Sequence, residues 1–114
     1  MRYAILIYES EEAMEARKDP QFQAAYAAYV RALSEAGVWL AGAGLPSAST
    51  ATTLRMKDGM RLVQDGPYAD TKEELGGFVL IEVPDLDRAL EWAARCPSLP
   101  MAVIEVRPAL PPVV

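Results

Sequence analysis

The spacing of apolar and polar residues changes several times along this chain, and each change marks an element. Arg2–Tyr8 alternates with period two, so Tyr3, Ile5 and Ile7 point one way and Ala4, Leu6 and Tyr8 the other. Both sets are apolar, which predicts a central strand covered on both sides. Glu9–Lys18 is rich in charge and reads as a short helical turn or loop. Asp19-Pro20 then opens a helix, with Asp19 as N-cap and Pro20 in the first turn. Phe22, Tyr26, Tyr29, Val30 and Leu33 recur at helical spacing, and Gly37 ends the run. That aromatic stripe reads as core, with a pocket wall as its alternative.

Val38–Leu45 reads as a second strand, in which Gly42 and Gly44 share one face and suggest close approach or a bulge. Pro46–Ala51 is a turn. Thr52–Lys57 and Met60–Gln64 are strands joined at Asp58-Gly59, a strong hairpin signal. The stretch from Asp65 to Gly77 is the longest polar connection and carries five charged residues. It predicts a functional loop, with Thr71–Leu75 as one helical turn capped by Asp70. Phe78–Val83 is a strand. Asp85 caps a second helix with a Leu86, Ala89, Leu90 and Ala93 stripe, and Pro97 follows its end. Met101–Arg107 is the last strand, and residues 108–114 form a proline-rich tail.

The order is strand-helix-strand, a hairpin, then strand-helix-strand. It predicts an α+β, ferredoxin-like antiparallel sheet with two main helices on one face. Period two sorts the strands. Val79, Ile81 and Val83, with Ala102, Ile104 and Val106, belong under the helices. Phe78, Leu80, Met101 and Val103 share the other face with Glu82, Glu105 and Arg107. A lone chain would expose that apolar area. A homodimer joined through the helix-free face would bury it.

Composition narrows the chemistry. At 114 residues, the chain is one domain, 1–114, and 52% apolar with 24% charged residues is globular. The longest uncharged apolar run, Val38–Leu45, is too short to span a bilayer, and Glu9 closes the first apolar run too early for a signal peptide. With Cys96 as the lone cysteine, this predicts a cytoplasmic protein. A net charge of −5 with scattered basic residues argues against nucleic acid. There is no histidine. That removes Ser-His and Cys-His nucleophile systems and leaves a metal site improbable in this sequence. Neither a metal nor a cofactor is expected. Any general base must be a carboxylate, a tyrosine or a lysine. Cys96, before Pro97 and without a histidine partner, reads as a buried thiol.

Asp65 ends a strand, where a carboxylate can be held rigidly and partly desolvated, and is the first candidate for a catalytic base. Capping its own turn is the alternative. Tyr68 is a candidate pocket wall or donor, and Lys72 and Glu74 are candidate ligand contacts on a face that solvent could equally occupy. Arg107 is a candidate carboxylate fork beside Glu105. Its alternative is an ion pair with Glu105 or Glu82. A small anionic ligand is the expected partner of such a set.

Asp65-Gly66-Pro67-Tyr68, Thr71-Lys72-Glu73, Gly76-Gly77-Phe78, Asp85-Leu86-Asp87 with Ala89, and Ile104-Glu105-Val106-Arg107-Pro108 stand in this order along nearly the whole chain. In these blocks the chain resembles the YCII-related family, and specifically its DGPF-domain branch, with Tyr68 in place of the usual Phe. The resemblance implies a dimeric α/β barrel and an isomerase- or lyase-like small-molecule enzyme with its pocket at the barrel. Some YCII proteins are similar in fold to muconolactone isomerase and carry a histidine–aspartate pair proposed as catalytic. Without histidine that pair cannot be carried over. DGPF domains also resemble proteins encoded near, or fused to, extracytoplasmic-function sigma factors. The alternative is therefore a non-catalytic ligand-binding or accessory module tied to transcription control.

Overall fold

A computed structural model describes residues 1–112; of the tail at 108–114, positions 113 and 114 lie outside the described residues. The elements run β1 (Arg2–Glu9), α1 (Glu11–Ala16), α2 (Pro20–Glu35), β2 (Trp39–Gly44), a 3-10 turn (Ala48–Thr50), β3 (Thr52–Lys57), β4 (Met60–Asp65), β5 (Glu74–Glu82), α3 (Leu86–Ala94) and β6 (Val103–Pro108). Four strands form one antiparallel sheet in the order β2-β5-β1-β6. Strands β3 and β4 form a separate two-stranded ribbon. With α2 and α3 as crossovers, this is an α+β fold of ferredoxin-like topology carrying an inserted hairpin. None of the helices is long and apolar enough to cross a membrane among the described residues.

Local chemistry sets the boundaries. Asp19 accepts a hydrogen bond from the Gln21 amide at 2.8 Å, and Pro20 begins α2. Gly37 leaves the helix with φ 74° while Val38 N donates to Leu33 O at 3.1 Å, a left-handed C-terminal cap. Asp85 accepts from Arg88 N at 2.9 Å. At the hairpin tip Asp58 and Gly59 both have positive φ, 52° and 76°, as a tight two-residue hairpin turn requires.

The core follows the period-two sorting. Tyr3, Ile5, Ile7, Val79, Ile81 and Val83 are buried against Tyr29 and Leu33 of α2 and Ala89 and Ala93 of α3. The Tyr29 hydroxyl donates to the Trp92 carbonyl at 2.8 Å and ties the two helices together. On the other face Ala4, Leu6, Tyr8, Phe78 and Leu80 are only half-buried. So β1 is central, as expected, but helices cover one side of it and not both.

Five further expectations are refined or corrected. The span Glu9–Lys18 holds the last residue of β1 and a true helix, because Ser10 Oγ accepts from Ala13 N at 3.2 Å and caps α1. The polar connection is only residues 66–73, since β4 includes Asp65 and β5 begins at Glu74. The expected helical turn at Thr71–Leu75 is absent, because Glu74 and Leu75 pair with Glu9 and Tyr8 of β1. In α3 the inward positions are Ala89, Trp92 and Ala93, while Leu86 and Leu90 stay exposed. Finally, Pro108 belongs to β6, opposite Tyr3, and Ala109 N donates to Arg2 O at 2.8 Å, so the tail begins paired.

Candidate active site

Strand arithmetic puts a carboxylate under the helices. Tyr3, Ile5 and Ile7 face inward, and two residues further the same face carries Glu9. Its exposure is 3%, and among the described residues it is the one charged side chain that is buried. One side chain faces it as a counter-charge: Arg17 Nη1 stands 3.4 Å from Glu9 Oε1. Arg17 reaches this point because the short α1 ends on it as C-cap and turns it back over the end of the sheet.

Glycines make room for the carboxylate. The register slips between Ile7 and Tyr8 of β1, and Gly76 is the extra residue on β5, a β-bulge. Its carbonyl accepts from Leu45 N at 2.8 Å. A Cβ at Gly76 would stand 2.7 Å from Glu9 Cδ and 3.0 Å from Cγ, so only glycine fits beneath that side chain. Gly42 and Gly44 are approached as their spacing suggested. The Trp39 ring lies over Gly42, and an Arg17 guanidinium nitrogen would be 3.5 Å from a Cβ at Gly44.

Glu9, Arg17, Gly44 and Gly76 line one end of a cavity of about 390 Å³, with Phe22, Gln23 and Tyr26 of α2 as the wall above. The volume is that of a small-ligand site. Phe22 and Tyr26 are neighbouring rings, centroids 6.0 Å apart. Part of the aromatic stripe of α2 is thus both core and pocket wall.

The electrostatics follow from burial. Removal from water pushes the Glu9 carboxyl above its ordinary value; Arg17 opposes this, and the nearby Glu74 carboxylate adds to it. Burial likewise pushes the Tyr26 phenol up to about 12, with Cys96 and Glu9 adding and Arg17 opposing. Tyr26 therefore stays a neutral donor at physiological pH. Cys96 is buried and its thiol is pushed up by burial, against hydrogen bonding from Ser98, which keeps it protonated rather than nucleophilic. A desolvated carboxylate beside a fixed cation can accept a proton and hold the resulting negative charge on a ligand at the guanidinium.

The residues singled out from the sequence fall in three other places. Asp65 is exposed at the end of β4, opposite Thr52 across the ribbon. Tyr68 is 80% exposed, with the Arg55 guanidinium 5.9 Å from its ring centre. Together with Tyr8, Pro67 and Leu75 it lines a groove of about 720 Å³ at the root of the hairpin. Glu74 reaches that same groove, where its Oε1 accepts from Ala48 N at 2.8 Å and fixes the 3-10 turn. Lys72 is exposed on the connection. Glu105 and Arg107 pair with each other on the helix-free face, Nε to Oε1 at 3.0 Å, with the Tyr8 hydroxyl 3.5 Å from the same oxygen. The structure thus groups Tyr68 with Glu74 and Glu105 with Arg107, and leaves Asp65 apart from both. Sequence reasoning passed over Glu9, Arg17 and Gly76. The signal for Glu9 was its parity with Tyr3, Ile5 and Ile7.

The sequence profile of the YCII-related domain matches residues 1–111. The chain belongs to the YCII-related family. An uncharacterised protein of Rhizobium meliloti (strain 1021) is 40% identical over 96 residues, covering 82% of this chain and 77% of its own. Among solved structures, 5-chloro-2-hydroxyhydroquinone dehydrochlorinase (TftG) from Burkholderia phenoliruptrix AC1100, in complex with 2,5-dihydroxybenzoquinone, superposes with a TM-score of 0.60. The match covers 96% of this chain and 94% of that one at 18% identity, which establishes a shared fold. A YCII-related chain is thereby seen to share its scaffold with a small-molecule enzyme.

Proposed function

We propose that this YCII-related protein is a small-molecule enzyme, isomerase- or lyase-like, that moves a proton with Glu9 in the cavity beneath α2. The observation that carries this is a carboxylate 3% exposed, at the wall of a cavity of about 390 Å³, with a single guanidinium on one oxygen. Burial makes the carboxylate a stronger base than it would be in water. Arg17 is placed to hold an enolate, phenolate or carboxylate oxygen. In an isomerisation Glu9 takes a proton from one ligand carbon or oxygen and returns it to another. In an elimination the electron pair left by the proton forms the new double bond and the leaving group departs with its own pair. The dehydrochlorinase on the same fold, bound to a small ring compound, supports a ligand of that size. Tyr68 and Glu74 remain walls of the adjoining groove. Asp65, exposed on the ribbon, and the Glu105–Arg107 pair have no part in this proton transfer.

The working unit in this reading is a homodimer joined through the helix-free face, where Leu6, Tyr8, Phe78 and Leu80 are half-buried in the single chain. The barrel of two such sheets would take Glu105 and Arg107 inside. A free, buried Cys96 suits a reducing compartment, and the cytoplasm is the place proposed. An accessory binding module would need no proton acceptor and gives the buried Glu9 nothing to do.

The test is hydrogen exchange. Small anionic ring compounds are screened by thermal shift, and the binders are followed by proton NMR in deuterium oxide. The parent is expected to exchange an acidic C–H of a bound compound, Glu9→Gln to lose about 10²–10⁴-fold of that rate while still binding, and Arg17→Gln to lose binding. Exchange by Glu9→Gln at the parental rate would remove the proposal.

A further inference from the structure

The β3–β4 ribbon is poorly explained by a single chain. Eleven of its twelve strand residues are exposed. Residues opposite each other across a ladder share a face. Leu54 opposes Val63 and Met56 opposes Arg61, so Leu54, Met56 and Val63 form a contiguous apolar patch, at 61%, 67% and 58% exposure, on a face that also carries Arg61 and Asp65. On the other face the polar side chains find partners within the chain, where Arg55 donates to Gln64 Oε1 at 2.8 Å and lies over Tyr68. Leu62 on that face is less exposed, at 38%, than Leu54, Met56 or Val63, although Met60 at the tip is open. A two-stranded ribbon alone is marginal in water, and an apolar patch on such a ribbon points to something that covers it.

The size of the chain's surface says how much is left to cover. Its accessible area is 7956 Å². A folded monomer of 12.4 kDa is expected to expose about 6,100 Å². The excess, about 1,800 Å², lies within the roughly 1,000–2,500 Å² that each partner of an obligate dimer buries. The radius of gyration, 15.8 Å, likewise exceeds the about 13 Å of a compact chain of this length. Charge agrees with a partner like the chain itself. Arg55, Lys57 and Arg61 against Asp58 and Asp65 leave the ribbon at +1, so the rest of a chain of net charge −5 carries −6.

We infer that the hairpin is an arm that lays its Leu54, Met56 and Val63 face on a second copy of this chain, at the rim of that copy's helix-free sheet. The inference rests on the dimer proposed above and adds to it a reciprocal clasp by each arm. A cationic arm then meets the acidic body of the other copy, which favours its own kind over a neutral partner.

Sedimentation equilibrium on the full chain tests this, comparing the parent with Leu54→Asp and Val63→Asp. Both positions are exposed in the single chain, so the fold is expected to survive. Each charge at the clasp is expected to raise the dimer dissociation constant at least about 100-fold. Unchanged constants overturn the arm and leave the dimer standing, whereas a parent that stays monomeric at every concentration overturns both. Amide hydrogen exchange of residues 53–64 in the unaltered protein decides the matter if a variant misfolds. Protection of those amides when the protein is dimeric is the expected result, and rapid exchange in the dimer overturns the arm.

Discussion

Replacing Gly76 by alanine asks whether the buried carboxylate is held where the cavity needs it. Carbon atoms pack best at about 3.5–4.0 Å. The new Cβ would lie 2.7 Å from Glu9 Cδ, too close by about 1 Å on that scale. The strand cannot give way easily, because the Gly76 carbonyl is bonded to Leu45 N at 2.8 Å. The Glu9 side chain therefore moves, and the open direction is into the cavity and toward water. Forcing extra atoms into a packed site usually costs 1–3 kcal/mol, and the adjoining space puts this case near the low end, about 1 kcal/mol. Catalysis is more sensitive: a misplacement of about 1 Å can cost roughly 100-fold in rate. The assay is carbon-13 NMR of the Glu9 carboxyl against pH, with urea unfolding alongside. Burial is the largest cause of its raised pKa, so Gly76→Ala should bring the titration down toward 4.5, the ordinary value. A Glu9 that titrates as in the parent, at unchanged stability, would refute the packing argument.

Glu9→Gln should stabilise the fold at neutral pH, because the folded-state pKa is raised. The native state then holds its proton more tightly, so the stability contribution is full below the unfolded value near 4.5 and is lost as pH rises through the folded pKa. Urea unfolding across that window should show the variant's advantage at pH 7 shrinking toward zero near pH 4.5; an advantage independent of pH argues against a buried charge. Tyr29→Phe should lose about 0.5–1.5 kcal/mol by chemical denaturation, the net worth of one hydrogen bond, since the Trp92 carbonyl keeps its second donor, Arg95 N at 3.1 Å. Asp65→Asn, at an exposed ribbon end, should stay within about 0.5 kcal/mol of the parent; a loss of roughly 2 kcal/mol or more would show the carboxylate to be a structural element of the turn.

Much of the fold was written in short-range chemistry. Asp19-Pro20, Gly37, Asp58-Gly59 and Asp85 each act through their own backbone neighbours, so their roles survive without knowledge of the rest of the chain. Alternation sorted the faces for the same reason. The polar connection misled because Glu74, Leu75, Gly76 and Gly77 have poor strand chemistry, and only pairing to β1 and β2 makes them a strand. The detachment of the ribbon from the main sheet is likewise a tertiary outcome that no local pattern records. The site divides in the same way. Glu9 carried a legible signal, its inward parity, that its charge argued against. Arg17 and Gly76 carried none, since their part depends on a helix end and a bulge meeting at one carboxylate. Asp65 attracted attention through its glycine and proline neighbours, which shape the chain beside it.

The inward parity of Glu9 also constrains how this protein can change over evolutionary time. Substitutions can tune the cavity one wall at a time. A single-residue insertion or deletion within β1 cannot, because it would rotate every later side chain in the strand to the opposite face. Glu9 would then emerge on the helix-free face, and Tyr8 or Ser10 would take its place inside. Length changes in this strand are therefore expected to come in pairs or not at all, whereas the connection at residues 66–73 is free to grow and shrink. Variation in length among descendants of this sequence should concentrate there and leave β1 intact.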